Sequence, residues 1–196
     1  LIVSGEIKTS SLSTPEFRQK EGDIPAEETK DVRNNSSSSF SVRVPEDCPT
    51  INEAYASIEQ SNGALTTIVL GPGDHVVEED EDGDNYLNIK CPVNIVGSRD
   101  VLDKSKIVVV GGFKITANGA HVEHLTIRHK KGYGVNGYSS CTLTDLMIDQ
   151  CNGSGVCADG SDAVLNCTNI MVSKSIYSGV CAYSGGTIIL RGNRTL

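Results

Sequence analysis

Two pairs of opposite charge stand one repeat apart in the C-terminal half of this chain: His124 with Asp145, and Arg128 with Asp149. On one surface, such residues could act as general acid and base, or as an arginine that abstracts a proton beside carboxylates. The same placement suits lateral ion pairing, which favours one strand register by a small free energy per pair. Ion pairing is the preferred reading, because the neighbouring column offers no acid or base. It holds Thr126, Met147 and Met171, with Asn169 and Ser173 completing the outer columns. Thioethers suit an apolar partner better than a sugar acid. Thr126, Met147, Met171, Asn169 and Ser173 are therefore the expected binding face, and the two charge pairs are the catalytic candidates.

Other groupings carry less chemistry. Asp80, Asp82 and Asp84 place alternate carboxylates around Gly83, as a calcium loop does. The bidentate Glu of an EF-hand is missing at the matching distance, where Cys91 stands. A solvated acidic loop is the simpler reading, and no metal is expected. Cys157 and Cys181 occupy the same position in successive repeats, just after an inward Val, so they should point outward side by side. They form either a disulfide or two free thiols. Cys167 reads as a small core residue. No histidine falls in register with a cysteine, which argues against a thiol nucleophile. His121 and His129 sit near strand ends and share no alternation phase with His124, so a surface role is expected rather than a zinc site. Nothing implies a cofactor.

The elements that must position these residues are written as a repeat. Leu125-Thr-Ile127 is followed by Gly134-Val135, Leu146-Met-Ile148 by Gly155-Val156, and Ile170-Met-Val172 by Gly179-Val180. The copies are offset by 21 and then 24 residues, and a further copy begins at Thr187. A period in the low twenties signals a solenoid with one coil per repeat. Segments between glycines are too short and too β-branched for helices. The Leu positions of leucine-rich repeats are absent. A parallel β-helix remains, in which Val122, Leu143 and Cys167 stack inward, as do Val135, Val156 and Val180.

The array begins at Thr67-Ile-Val-Leu70 and continues through Tyr86–Ile89, Val93–Gly97, Ile107–Val110 and Phe113–Ile115. Ahead of it, Phe40–Val44 alternates as a strand. Thr50-Ile-Asn-Glu53 fits a helix N-cap, and Ile51, Ala54, Tyr55 and Ile58 line one face of a short helix. Such a strand and helix would cover the open end of a solenoid. Residues 1–39 are polar and aperiodic, and read as an extended arm. The last repeat stops at Leu196 without a cap, so another chain or a continuation is expected to cover it.

Thr67-Ile-Val-Leu-Gly-Pro-Gly73, Leu87-Asn-Ile89 and Pro92-Val-Asn-Ile95-Val-Gly97 resemble the opening of right-handed parallel β-helices of the pectin-lyase-like superfamily. Gly179-Val-Cys-Ala-Tyr-Ser-Gly-Gly186 with Ile188–Asn193 is similar to the repeat of eukaryotic F-box β-helix proteins. The resemblance covers roughly residues 42–195. It implies the fold far more than the function, since the superfamily spans polysaccharide lyases, hydrolases and epimerases, viral fibres and non-catalytic recognition domains. In its enzymes the substrate groove usually runs along one outward sheet face. The Asn-Thr-Asp, Asp-Asp, Gly-His-Gly and Asp-Pro-Asp clusters of its hydrolases and epimerases are absent here.

Composition agrees. Aromatics make up 5% of 196 residues, Trp is absent and Gly numbers 20, so the core must be layered from aliphatic residues and Cys. The net charge of -8 excludes a general basic footprint for nucleic acid. No apolar run reaches the roughly 18 residues of a membrane span. Sequons at Asn34, Asn35, Asn152, Asn166 and Asn193 matter only in a secretory pathway. The compartment is left open. The expectation is an all-β, right-handed parallel β-helix of about five coils over residues 66–196, capped by residues 40–65 and preceded by the arm. Its expected role is a non-enzymatic structural or recognition module. Its partners would be other subunits of an assembly, the arm contacting a neighbour. The alternative is a polysaccharide-acting enzyme or carbohydrate-binding module.

Overall fold

Short β-branched segments, cut every few residues by Gly, Asn, Asp or Ser, pair as strands more readily than they coil into helices. The computed structural model describes residues 40–192. The arm over 1–39, the sequons at Asn34, Asn35 and Asn193, and the end of the last repeat lie outside the described residues. Strand β1 (Ser41–Val44) and helix α1 (Ile51–Gln60) come first. Coils follow as strand triplets: β2 (Thr67–Leu70), β3 (Gly73–Val76) and β4 (Tyr86–Ile89), then β5 (Asn94–Gly97), β6 (Ile107–Val110) and β7 (Gly112–Ile115). Next are β8 (Ala120–Glu123), β9 (Thr126–Arg128) and β10 (Val135–Gly137), then β11 (Cys141–Thr144), β12 (Met147–Asp149) and β13 (Val156–Asp159). The last full triplet is β14 (Val164–Thr168), β15 (Met171–Ser173) and β16 (Val180–Tyr183), and β17 (Thr187–Arg191) opens a further coil. This is a parallel β-solenoid of about six turns, slightly more than the five expected.

The strands stack into three all-parallel sheets. The first is β1-β2-β5-β8-β11-β14-β17, the second β3-β6-β9-β12-β15 and the third β4-β7-β10-β13-β16. Register keeps like on like. Ile68, Ile95, Val122, Leu143 and Cys167 stack in the first sheet, and Leu87, Phe113, Val135, Val156 and Val180 in the third. Each inward side chain thus meets its equivalent one coil away, and the core is a set of aliphatic columns. The column Val109, Ile127, Ile148 and Val172 of the second sheet is headed by His75. That imidazole is 7% exposed, and its Nε2 bonds the Gly71 carbonyl at 2.8 Å.

Helix α1 covers the first coils as anticipated. Thr50 accepts from the Glu53 amide at 3.1 Å, satisfying one of the otherwise unpaired first-turn donors. Ile51, Ala54, Tyr55 and Ile58 are buried on the face that meets the sheet. Burial fades at the other end of the described chain. Val172, Val180 and Ile188 are only partly buried, whereas Ile148, Val156 and Leu165, one coil earlier, are fully enclosed.

Candidate functional site

The outward face of the second sheet is built by a corner. Val122 and Leu125 both point inward, although three residues apart, which period-two alternation forbids on a straight strand. The chain resets its phase at His124, which adopts φ +54°. Asp145 at φ +49° and Asn169 at φ +54° do the same in the next coils. Asn and Asp tolerate this left-handed region better than most residues. The corner does not break the ladder, because the amides of His124, Asp145 and Asn169 bond the carbonyls of Thr144, Thr168 and Arg191 at 3.1, 2.9 and 3.0 Å. These side chains are therefore corner residues between two sheets, not members of one continuous strand.

The connection from β5 to β6 folds back over this corner. A short 3-10 turn at Lys104–Lys106, capped by Asp103, forms its core. Its Val101 carbonyl meets His124 Nε2 at 2.7 Å, and its Lys104 carbonyl accepts from Thr126 Oγ1 at 2.9 Å. Lys104 Nζ reaches Asp145 Oδ1 at 2.5 Å, while His124 Nδ1 meets Asp145 Oδ2 at 2.7 Å. A carbonyl and an ionised carboxylate can only accept, so both ring nitrogens donate and His124 is an imidazolium. Burial alone would lower its pKa, but the Asp145 hydrogen bond, the Val101 bond and the Asp145 charge prevail and raise it. Burial likewise pushes Asp145 upward, but its hydrogen bonds and ion pairs with Lys104 and His124 win and hold it below the usual carboxylate range.

In the second pair the carboxylate, but not the guanidinium, is satisfied internally. Asp149 is 7% exposed and accepts from Ser173 Oγ at 2.8 Å. Lys174 Nζ lies 3.4 Å from its carboxylate and Arg128 Nε 3.9 Å. Burial raises the Asp149 pKa, but Ser173 and Lys174 outweigh it and the net shift is downward. Arg128 Nε is buried with no hydrogen-bond partner.

The structure gathers His124, Asp145, Met147, Asn169 and Met171 around one slot of about 290 Å3, together with Leu102, Asp103 and Lys104. Thr126 is withdrawn from that face, fully buried beneath the Lys104 turn. Met147 aligns with both Thr126 and Met171. Ser173 stands in register with Asp149 and serves that carboxylate. Leu102 is 92% exposed at the rim. Sequence reasoning missed Leu102, Asp103 and Lys104. The available signal was length: Ile95 and Val122 are register partners 27 residues apart, against 21 for the next coil, so this coil carries extra chain.

The remaining candidates disperse. Asp80 Oδ1 accepts from the amides of Asp82 and Asp84 at 3.1 and 2.9 Å, closing a tight acidic turn. Lys131 pins that turn through Glu79 at 2.7 Å and the Gly83 carbonyl at 2.8 Å. No group of three or more His, Cys, Asp or Glu is arranged to hold a metal among the described residues. His129 is not a surface residue. It is fully buried, with Nδ1 on the Tyr133 carbonyl at 2.6 Å, Nε2 beside Asn85 at 2.8 Å and the Tyr86 ring edge-on at 4.5 Å. Burial lowers its pKa. His121 instead pairs with Glu123 at 3.0 Å beside a groove of about 530 Å3 on the first sheet. Arg43, Val69 and Val96 continue the floor of that groove. Cys157 and Cys181 are register partners on the third sheet, as free thiols. Cys157 is 2% exposed, although alternation points it outward.

Comparison with known proteins supplies no relative. No family, curated protein or solved structure matches the chain. The parallel β-solenoid therefore rests on the strand register itself. No described helix is long and apolar enough to cross a membrane.

Proposed function

We propose that this chain is a non-enzymatic recognition module that receives an apolar side chain of a partner protein in the slot on its second sheet. One observation supports this reading above the rest. The acid and base that line that slot, His124 and Asp145, are already held by other groups of the chain, while its apolar members stay open. His124 has no free nitrogen, and Asp145 is bonded on both oxygens. Leu102 and Met171 are 92% and 41% exposed beside them. Soft, adaptable thioethers with a polar rim suit a protein partner. Membership of the pectin-lyase-like superfamily is part of the proposal and rests on the sequence resemblance.

The test is selection of displayed peptides on the immobilised chain, followed by binding to variants. Selected peptides should carry an apolar anchor and lose at least tenfold in affinity on Met171→Asp and Leu102→Asp. Thr67→Asp, on the first sheet, should bind them unchanged. Peptides indifferent to both slot variants would refute the reading. Carbohydrate binding is the second reading, favoured by Tyr177 and Tyr183, which are 75% and 52% exposed. Turnover of a polyuronate that disappears in Asp145→Asn would establish an enzyme instead.

A further inference from the structure

On the third sheet, away from the slot, two thiols stand opposite each other. Cys157 of β13 and Cys181 of β16 are direct register partners in adjacent parallel strands. Neighbouring strands lie about 4.8 Å apart, and a disulfide takes a Cα separation of about 4.4–6.8 Å. No other cysteine pair of the strands is so placed. Cys141 faces Ala120 and Leu165, and Cys167 faces Leu143 and Leu190. The two thiols also differ in access, since Cys157 is 2% exposed and Cys181 is partly open.

We infer that Cys157 and Cys181 form a dithiol site that a low-molecular-weight disulfide, such as oxidised glutathione, closes reversibly into a bridge between the fourth and fifth coils. The accessible Cys181 reacts first. Its thiolate attacks one sulfur of glutathione disulfide, that S–S bond breaks, and one glutathione leaves as a thiolate that takes up the Cys181 proton. The thiolate of Cys157 then attacks Cys181 Sγ in the mixed disulfide. The second glutathione leaves and takes up the Cys157 proton. Two protein thiols are oxidised by two electrons, and one glutathione disulfide is reduced to two thiols. Burial, then the neighbouring Cys181, push the Cys157 thiol up to about 12.

The bridge falls where it has an effect. Packing weakens from the fourth coil to the fifth on two of its sheets, where Val172 and Val180 are only partly buried. A covalent tie from β13 to β16 would hold that coil against the better-packed one and limit its fraying. The dithiol lies on a different sheet from the recognition slot, and the coil it would tie also carries Met171 of that slot.

The reduced full chain, incubated with oxidised glutathione, alkylated and analysed by mass spectrometry, provides the test. The expected product has lost two hydrogens, retains no glutathione and yields a cross-linked peptide containing Cys157 and Cys181. Amide exchange across Met171–Tyr183 should be slower in the oxidised chain than in the reduced one. Cys157→Ser should keep a stable glutathione adduct on Cys181. If that variant does not fold, Cys181→Ser should show neither bridge nor adduct at Cys157. The inference is overturned if the unmodified sequence keeps glutathione on Cys181, if the bridge joins other cysteines, if no thiol reacts, or if exchange is unchanged.

Discussion

Replacing Asp145 by Asn removes the one anion that holds both His124 and Lys104, and its cost should depend on pH. His124 has a pKa raised above 6.5, so its partner contributes fully below that value. That contribution is lost as pH rises through the folded-state pKa. Asp145 is depressed below 3.8, so its contribution is present above 3.8 and is lost only as pH falls through its lower folded value. Both are in place between about pH 4 and pH 6.5. A hydrogen bond to a charged group contributes about 1.5–3 kcal/mol. The Asp145 side chain is 40% exposed, and solvent screening moves the total to around the lower end of that range. The expected loss is about 1–2 kcal/mol near pH 5.5, shrinking to roughly 0.5 kcal/mol at high pH, where only the part-buried Lys104 pair remains. Urea unfolding at fixed ionic strength, repeated across this range for both chains, measures the difference. Buried His129 titrates in the opposite sense but is common to both chains, so it cancels. A loss that stays constant with pH, or no loss near pH 5.5, would refute the ion-pair account of this corner.

Other perturbations test the scaffold. In Gly97→Ala the new Cβ would stand 1.9 Å from the His124 carbonyl oxygen and 2.9 Å from Ile107 Cδ1. Backbone cannot yield as a flexible side chain does, so a loss of about 3 kcal/mol or more is expected in urea unfolding, and under about 1 kcal/mol would contradict the corner packing. Phe113→Ala empties a fully buried site in the third-sheet column and should lower stability by about 3–5 kcal/mol by the same assay. Thr50→Ala removes the acceptor of the Glu53 amide and should cost about 0.5–2 kcal/mol, with Thr50→Ser close to the original chain.

The repeat made the solenoid legible because its side chains are chosen by stacking. Val135, Val156 and Val180 occupy one column because each packs on its equivalent, so the spacing in sequence is the pitch in space. The capping helix was legible for a related reason, since Thr50 and the spacing of Ile51, Ala54, Tyr55 and Ile58 are local signals. The corner was not. His124, Asp145 and Asn169 are unlike side chains sharing a backbone conformation, and alternation carried through them assigns the wrong phase. Nor did the sequence reveal what covers the face. The turn holding Val101 and Lys104 reaches its targets across 23 and 41 residues, and no periodicity records such contacts. Thr126 and His129 were read as exposed because their covers, the Lys104 turn and the Asn85–Tyr86 segment, come from other coils.

The claim on which the functional reading depends is that His124 is held as an imidazolium and cannot act as a base. Long-range 1H–15N correlation of the histidine rings through a pH titration measures it directly. The account predicts both His124 nitrogens predominantly protonated at pH 6.5, with a midpoint above 6.5 that falls when Asp145 is replaced by Asn. A neutral His124 ring at that pH, with one nitrogen free of a proton, would contradict it.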